Sequence, residues 1–222
     1  MHTGGQGQEL DVWQKVTFKP WIGRNYRSAA HWGSRLLILG WSHYKQFTFP
    51  EPLYTRHVIR AHLNGEAGAG HQFWTDVARV LTGKPSFTPG ERREFWRSVA
   101  FYNYIQEFVG AGPEAAPTKL AWARSHAPFR EVLRQLEPDI ILVLGRVLWR
   151  KMLPQDLPGP SVGHAPDDAV PTEGRLYRTG TRKLAFAVGI KHPSRGFNYR
   201  TWAPYVQQFL RRGSAQSQSR DA

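Results

Sequence analysis

The sequence predicts an α/β fold, in which a single domain holds a central, mostly parallel, four-stranded sheet between two layers of helices. Short apolar runs alternate along the chain with segments of helical periodicity, which is the pattern of parallel strands joined by helices. The 222 residues, 41% of them hydrophobic, are enough for one domain with a substantial core. We expect this domain to span residues 13–212, between a flexible N-terminal segment, 1–12, and a disordered tail, 213–222.

Four continuous apolar runs are the predicted strands: Arg35–Gly40, Val99–Ile105, Ile140–Gly145 and Leu184–Ile190. Helical spacing is found in five segments: Phe73–Leu81, Glu91–Trp96, Leu120–Leu136, Arg146–Leu153 and Tyr199–Arg211. The stretch 154–174 is rich in Pro, Gly and Asp and predicts a long surface loop. Ligands of parallel sheets bind at the carboxyl ends of the strands. Four residues are predicted at or near that edge: Gly40, Asn103, Gly145 and His192.

Composition indicates a polyanionic partner. The net charge is +13, and nine Trp, eight Tyr and twelve Phe accompany it, which favours nucleic acid over a basic surface that serves only solubility. The absence of cysteine excludes disulfides, cysteine-ligated zinc and iron–sulfur clusters, and the nearest approach to a histidine metal pair is His57 with His62. We therefore expect no metal and no cofactor. Neither a signal peptide nor a membrane span is visible, so a cytoplasmic monomer is expected.

Four motifs resemble those of the uracil-DNA glycosylase superfamily. The run Leu37–Tyr44 resembles its first motif, I-L-G-Q-D-P-Y in the founding branch, and His192-Pro193-Ser194 matches its second, H-P-S. Phe101-Tyr102-Asn103 resembles the strand whose Asn reads the flipped base, and Pro138–Gly145 resembles its P-D-x-I-x-x-L-G strand. Order and spacing agree over roughly residues 18–210. The resemblance implies a monofunctional, metal-free DNA glycosylase, which flips a base and hydrolyses its N-glycosidic bond. Without cysteine, the chain cannot belong to the iron–sulfur branches.

The resemblance also implies roles for individual residues. His192 would donate a hydrogen bond to the pyrimidine O2 as negative charge develops there, unless it only caps a strand end. Asn103 would read the Watson–Crick edge, the competing interpretation being a turn residue. Three further residues would line the base: Gly40, Trp41 and Tyr44. DNA contacts are expected from six residues: Arg146, Lys191, Pro193, Ser194, Arg195 and Phe197. Phe197 would be a wedge in the duplex or, alternatively, a core aromatic.

The first motif departs from the founding pattern. Ser42 stands where that branch has its water-activating Asp, and His43 replaces the Pro. Three hypotheses remain for the water. His43 acts as the base, Glu51 reaches in from the same loop, or the water is held by Ser42 and backbone carbonyls.

The substrate class is open at this stage. The altered first motif and the small-residue loop Gly65–Gly70 suggest a pocket not shaped for plain uracil. In this the chain resembles bacterial anti-phage glycosylases that excise hypermodified pyrimidines, such as glucosylated hydroxymethylcytosine. Ordinary uracil repair is the alternative substrate hypothesis. A catalytically silent module that binds a modified base, and an RNA-binding or structural protein, are the alternatives from other functional classes.

Overall fold

A computed structural model describes residues 13–44, 51–66, 71–110, 115–168, 171–181, 183–194 and 196–218. Seven strands lie in this part of the chain: β1 (Trp21–Ile22), β2 (Leu36–Gly40), β3 (Ala100–Asn103), β4 (Ile140–Leu144), β5 (Leu157–His164), β6 (Pro171–Arg178) and β7 (Leu184–Ile190). The helices are α1 (Tyr54–Asn64), α2 (His71–Thr82), α3 (Pro89–Ser98), α4 (Lys119–Arg124), α5 (His126–Leu136), α6 (Arg146–Lys151) and α7 (Tyr199–Gln218).

The strands form one mixed sheet in the order β1-β3-β2-β4-β7-β6-β5. Its centre is parallel, because β3, β2, β4 and β7 run in the same direction as their neighbours in this group. These are the strands that the sequence predicts, and the α/β class is confirmed. The expected four-stranded sheet is wrong, however, since β1, β6 and β5 extend it to seven strands by antiparallel pairing.

The hairpin β5–β6 replaces most of the long loop predicted over 154–174. Proline and glycine are uncommon in strands, so the sequence does not indicate this hairpin. Proline can be accommodated at the edge of a sheet, since an edge strand leaves one row of N–H groups unpaired. A Cβ at Gly159 would lie 2.6 Å from the Gly174 carbonyl carbon, so glycine permits the close approach of the two strands. The pairing is irregular and shifts register between Pro158 and Ser161 and again before Gly163.

Both faces of the sheet are covered, which explains why the central strands are continuous apolar runs. Alternate residues of β2 face opposite sides: Leu36 and Ile38 join one core, and Leu37 and Leu39 join the other. The first core is completed by α1, α2, α3 and α7, and the second by α4, α5 and α6. We call these two sides the α2 face and the α5 face.

Some of the helices differ from expectation. The segment predicted as a single helix over Leu120–Leu136 is divided into α4 and α5 at Ser125, whose Oγ donates to the Ala121 carbonyl at 2.7 Å. Pro128 then lies in the first turn of α5, where its missing N–H costs little. The helix α1 is an element that the sequence does not predict, because its apolar positions are few.

The last helix also continues beyond its predicted end. The tail expected from Gly213 is helical to Gln218 within α7, and the Ser214 Oγ donates to the Leu210 carbonyl at 3.0 Å. Residues 1–12 and 219–222 lie outside the described residues. In the part of the chain that is described, no helix combines the length and the apolar character that crossing a bilayer requires.

Candidate active site at the carboxyl edge of the sheet

The carboxyl ends of the four parallel strands bring the predicted site residues to one edge. Asn103 ends β3 and is paired in register with Gly40, which ends β2. Gly145 follows β4, and its N–H donates to the Ile190 carbonyl at the end of β7, two residues before His192. Strand alternation directs Asn103 towards the α2 face, because Phe101 belongs to that core.

Glycine ends β2 and directly follows β4, and these two strands separate Asn103 from His192. Adjacent strands lie about 4.8 Å apart, so roughly 14 Å separates β3 from β7. A Cβ at Gly40 would overlap the Asn103 Oδ1 and lie 2.7 Å from the Phe101 ring. Gly145 has φ +120°, and a Cβ there would contact His192 at 3.6 Å. Neither strand end therefore places a side chain between Asn103 and His192.

His192 has the properties of a neutral hydrogen-bond donor. Its ring stacks on Phe73, with centroids 5.4 Å apart and planes 23° from parallel. Burial lowers the pKa of His192, so the imidazole is neutral at neutral pH. Among the described residues, no side chain or backbone group is hydrogen-bonded to either ring nitrogen. One N–H is thus available to a ligand.

Phe73 is a site residue that the sequence analysis missed. It lies in the first turn of α2, and its ring also contacts Phe101, 6.4 Å away between centroids. Its helical spacing with Val77 and Leu81 indicates a core position, and that is partly correct, because Phe73 packs against the core of the α2 face. The contact between Phe73 and His192 depends on where the first turn of α2 lies relative to the end of β7, which the sequence does not indicate.

Asn103 is held by a hydrogen-bonded chain that begins at His43. The Asn103 Nδ2 lies 3.2 Å from the His43 Nδ1, and the His43 Nε2 lies 2.8 Å from the Thr55 Oγ1 on α1. The backbone contributes to this arrangement, since the Tyr104 N–H donates to the Gly40 carbonyl at 2.9 Å. The Asn103 carbonyl also accepts from the Gln106 Nε2 at 2.7 Å.

Aromatic rings enclose His43. Phe18 and Tyr54 contact its ring edge to face, with centroids at 5.0 Å and 4.8 Å, and Phe108 lies at 6.4 Å. Only 6% of the residue is exposed, and this burial lowers the pKa of His43 from 6.5 to about 3. With both ring nitrogens bonded within the protein, the geometry does not support His43 as the base that takes a proton from water.

Acidification should destabilise the protein through His43. The unfolded chain binds a proton near pH 6.5 and the folded chain only near pH 3, so stability is lost as pH falls through that interval. Between pH 7 and pH 5 we expect the wild type to lose about 2 kcal/mol more unfolding free energy than His43→Phe. Urea denaturation of both proteins at the two pH values measures this difference. Equal losses would contradict it.

Ser42, two residues after the end of β2, has a buried polar atom. Its Oγ is buried and has no hydrogen-bond partner among the described residues, which is unusual for a hydroxyl. The ring of the neighbouring Trp41 packs on the α5 face, 6.3 Å from Trp122. The structure therefore does not bring the Trp41 ring to the face that holds Asn103. Tyr44, 36% exposed, lies at the surface.

Glu51 lies apart from this buried cluster. Its carboxylate is 3.9 Å from the His57 Nδ1, and both side chains are about half exposed, at 49% and 54%. This surface pair lies beside the start of α1. Of the three hypotheses for the water, the one based on Ser42 agrees best with these positions.

The H-P-S segment forms a tight loop after β7. The Ser194 N–H donates to the His192 carbonyl at 2.8 Å, and the Phe197 N–H donates to the Ser194 carbonyl at 2.9 Å. The exposed Lys191 donates through Nζ to the Gly196 carbonyl at 3.2 Å. Pro193 is buried and Ser194 is exposed, whereas Arg195 lies outside the described residues.

Phe197 and Arg146, two more of the expected DNA contacts, also have partners within the protein. Phe197 is partly buried and stacks on Trp202, with centroids 6.3 Å apart, which favours the core alternative over the wedge. Arg146 binds Asp167 at 2.5 Å and Asp168 at 2.6 Å, and its guanidinium lies over the Trp202 ring. Arg146 thus faces carboxylates in the described structure, and its expected contact with DNA stays a prediction.

The sequence matches no protein-family model and no curated protein. Within the described ranges, no three His, Cys, Asp or Glu side chains are grouped so that they could hold a metal ion. The groups available at the edge of the sheet are thus the neutral imidazole of His192, the amide of Asn103 and the hydroxyl of Ser42.

Proposed function

We propose that this protein is a monofunctional DNA glycosylase, which flips a pyrimidine nucleotide and hydrolyses its N-glycosidic bond. The observation that carries the proposal is the position of two side chains at one edge of the sheet: His192, whose ring nitrogens have no hydrogen-bond partner among the described residues, and Asn103, whose amide is bonded to His43. They are separated by β2, which ends in glycine, and by β4, which glycine follows. The proposal places a planar base between these two side chains. The amide would read its Watson–Crick edge, and the imidazole would face O2.

The chemistry requires stabilisation of a leaving anion. As the bond between C1′ and the base nitrogen breaks, both electrons leave with the base, and charge accumulates on its O2. An N–H of His192 that already points to that oxygen lowers the energy of the transition state more than that of the bound substrate. Because burial lowers the pKa of His192, the group acts as a neutral donor and does not need to be protonated first.

Water must then add to the sugar cation at C1′, and the proton that it loses passes to the departing base anion, which leaves an abasic sugar and a neutral base. The buried Ser42 Oγ lacks a partner among the described residues, so it can accept a hydrogen bond from this water. The net charge of +13 supports binding of the phosphate backbone. For the substrate, we propose a modified cytosine, since Ser42 replaces the acid of the founding branch. Uracil is the alternative substrate.

Base release from defined duplexes tests the proposal. Duplexes that differ in one nucleotide carry uracil, hydroxymethylcytosine or glucosylated hydroxymethylcytosine, and alkaline cleavage reports abasic sites. We expect strand scission on a modified-cytosine duplex. Scission on uracil alone would support the repair alternative. Tight binding without scission on any duplex would instead identify a silent binding module.

Ser42 variants separate positioning of water from general-base catalysis. We expect Ser42→Ala to reduce excision about tenfold, since it removes one hydrogen bond to the water. Ser42→Asp should lower activity on the modified base and give little gain on uracil, because burial raises the pKa of a carboxyl group there. Single-turnover rates on both duplexes measure these effects. Ser28→Ala, at an exposed serine, is the control. A large gain on uracil in Ser42→Asp would favour the repair alternative.

The Arg146 ion pairs should limit DNA affinity. In the double variant Asp167→Asn/Asp168→Asn the guanidinium is released to contact phosphate, so we expect tighter binding at low salt and a steeper dependence on salt. Each added phosphate contact increases the slope of log K against log salt by about 0.9. Fluorescence anisotropy at several salt concentrations measures both quantities. Glu94→Gln/Glu173→Gln removes the same charge elsewhere, and an equal effect from it would reject a specific role for Arg146.

A further inference from the structure

The Asn103 amide is hydrogen-bonded to His43, which is buried. His43 is enclosed by the aromatic rings of Phe18, Tyr54 and Phe108, and its only described polar partners are Asn103 and Thr55. We propose that His43, together with Thr55, is a positioning residue that fixes the orientation of the Asn103 amide and thereby selects between 4-oxo and 4-amino pyrimidines. This inference rests on the proposed function.

The hydrogen-bonded chain has a direction. An amide NH₂ group can only donate, so the Asn103 Nδ2, 3.2 Å from the His43 Nδ1, makes that ring nitrogen an acceptor. A neutral imidazole then carries its proton on Nε2, which donates to the Thr55 Oγ1 at 2.8 Å. The Asn103 Oδ1 is left on the side of Gly40, where a Cβ would overlap it.

If the Asn103 amide were rotated by 180°, each hydrogen bond from Asn103 through His43 to Thr55 would have to reverse its direction. The His43 Nδ1 would have to carry the proton and donate to Oδ1, and Nε2 would have to accept from the Thr55 hydroxyl. A doubly protonated ring would also expel the NH₂ group, but burial in the aromatic cage opposes the charged form. One tautomer of His43 thus corresponds to one orientation of Asn103.

The orientation of the amide determines which base edge it matches. Uracil presents the O4 acceptor beside the N3–H donor, whereas cytosine presents the N4 amino donor beside the N3 acceptor. If a hydrogen bond from His192 to O2 fixes the rotation of the base, the amide oxygen must face a donor and the amide nitrogen an acceptor at positions 3 and 4 of the ring. Rotation of the amide by 180° exchanges the preferred class. The same rule applies to pyrimidines that carry a substituent at position 5.

The chemistry of the cage supports a role beyond packing. An apolar ring in place of His43 would fill the same space among Phe18, Tyr54 and Phe108 without the cost of burying two polar nitrogens. The imidazole instead connects a residue of α1, Thr55, to the reading residue at the end of β3. Through this imidazole, the position of the Thr55 hydroxyl therefore determines the orientation of the Asn103 amide.

The tautomer is tested directly by long-range ¹H–¹⁵N correlation spectra of protein labelled with ¹⁵N-histidine. For His43 we expect a single neutral tautomer with the proton on Nε2 between pH 5 and pH 8. Thr55→Val, which keeps the shape but removes the acceptor, should give a mixture of tautomers, and Thr55→Ser should restore the wild-type spectrum. A proton on Nδ1, or a mixture in the wild type, would overturn the proposal.

Selectivity is tested with pairs of duplexes that differ only at the 4-position, such as uracil against cytosine and 5-hydroxymethyluracil against 5-hydroxymethylcytosine. We expect His43→Phe and Thr55→Val to reduce the ratio of kcat/KM values within a pair by at least about tenfold, and Thr55→Ser to preserve it. Equal losses on both duplexes, with the ratio unchanged, would show a merely structural role. If His43→Phe does not fold, Thr55→Val provides the same ratio.

If the protein is not a glycosylase, the experiments give a different set of results. If the wild type cleaves no duplex, the glycosylase proposal fails, whereas the NMR measurement still determines the tautomer. Equilibrium dissociation constants for the same pairs of duplexes then replace kcat/KM. An unchanged ratio of these constants in Thr55→Val would overturn the role of His43 in selectivity.

Discussion

Replacement of His192 by alanine should lower base excision about 10²–10³-fold while leaving DNA affinity nearly unchanged. In the proposed mechanism the imidazole donates to charge that exists only in the transition state, so its removal should affect the chemical step more than binding. The Phe73 ring that stacks on it remains in place and preserves the local packing. Single-turnover rates and anisotropy titrations of the same duplex measure the two effects separately.

Two further variants sharpen this test. His192→Gln retains an N–H donor and should recover part of the lost rate, although its longer reach prevents full recovery. His164→Ala removes an exposed histidine on β5 and should behave as the wild type does. Unchanged turnover in His192→Ala would reject the proposed mechanism, and a parallel loss of DNA affinity would indicate a binding role instead.

The second large effect is expected from Gly40→Ala. The added methyl group would overlap the Asn103 Oδ1 and lie 2.7 Å from the Phe101 ring, both on the α2 face. The closest contact of the added methyl group is with the Oδ1, so we expect the Asn103 amide to move and excision to fall at least about 100-fold. Overpacking of this kind also costs about 1–3 kcal/mol of unfolding free energy.

Gly90→Ala is the matched control for this variant. Its Cβ would meet only the Thr88 Oγ1, at 3.9 Å, within the first turn of α3, so neither rate nor stability should decrease. Measurements at a temperature well below the Tm of the variant separate the loss of rate from unfolding. Normal excision by folded Gly40→Ala would contradict the position given to Asn103.

The sequence is sufficient to predict the parallel centre of the sheet. Buried strands such as β2 and β4 must be apolar at every position, and a continuous apolar run can be recognised in the sequence without knowledge of any contact. The same reasoning locates Asn103 and His192, because parallel strands must present their carboxyl ends at one edge. What it establishes is which residues share an edge, not what each side chain touches there.

The contacts of the site depend on distances that no local pattern encodes. Sequence reasoning considers His43 as a base, but the cage around it includes Phe18, Tyr54 and Phe108, which come from three separate segments. For the same reason, the partners of Arg146 were not predicted. They come from the segment that follows β5, a strand which the prolines of the sequence concealed.

The irregular outer strand has a consequence for behaviour at high concentration. An unpaired strand at the edge of a sheet is a template on which another molecule can add its own strand, and such additions lead to aggregates. In β5, Pro158 and Pro160 offer no N–H group to an incoming strand, and the register shifts interrupt its flat surface. At the opposite edge β1 has only two residues, too few to template an addition. Both edges of this sheet are thereby protected against edge-to-edge polymerisation.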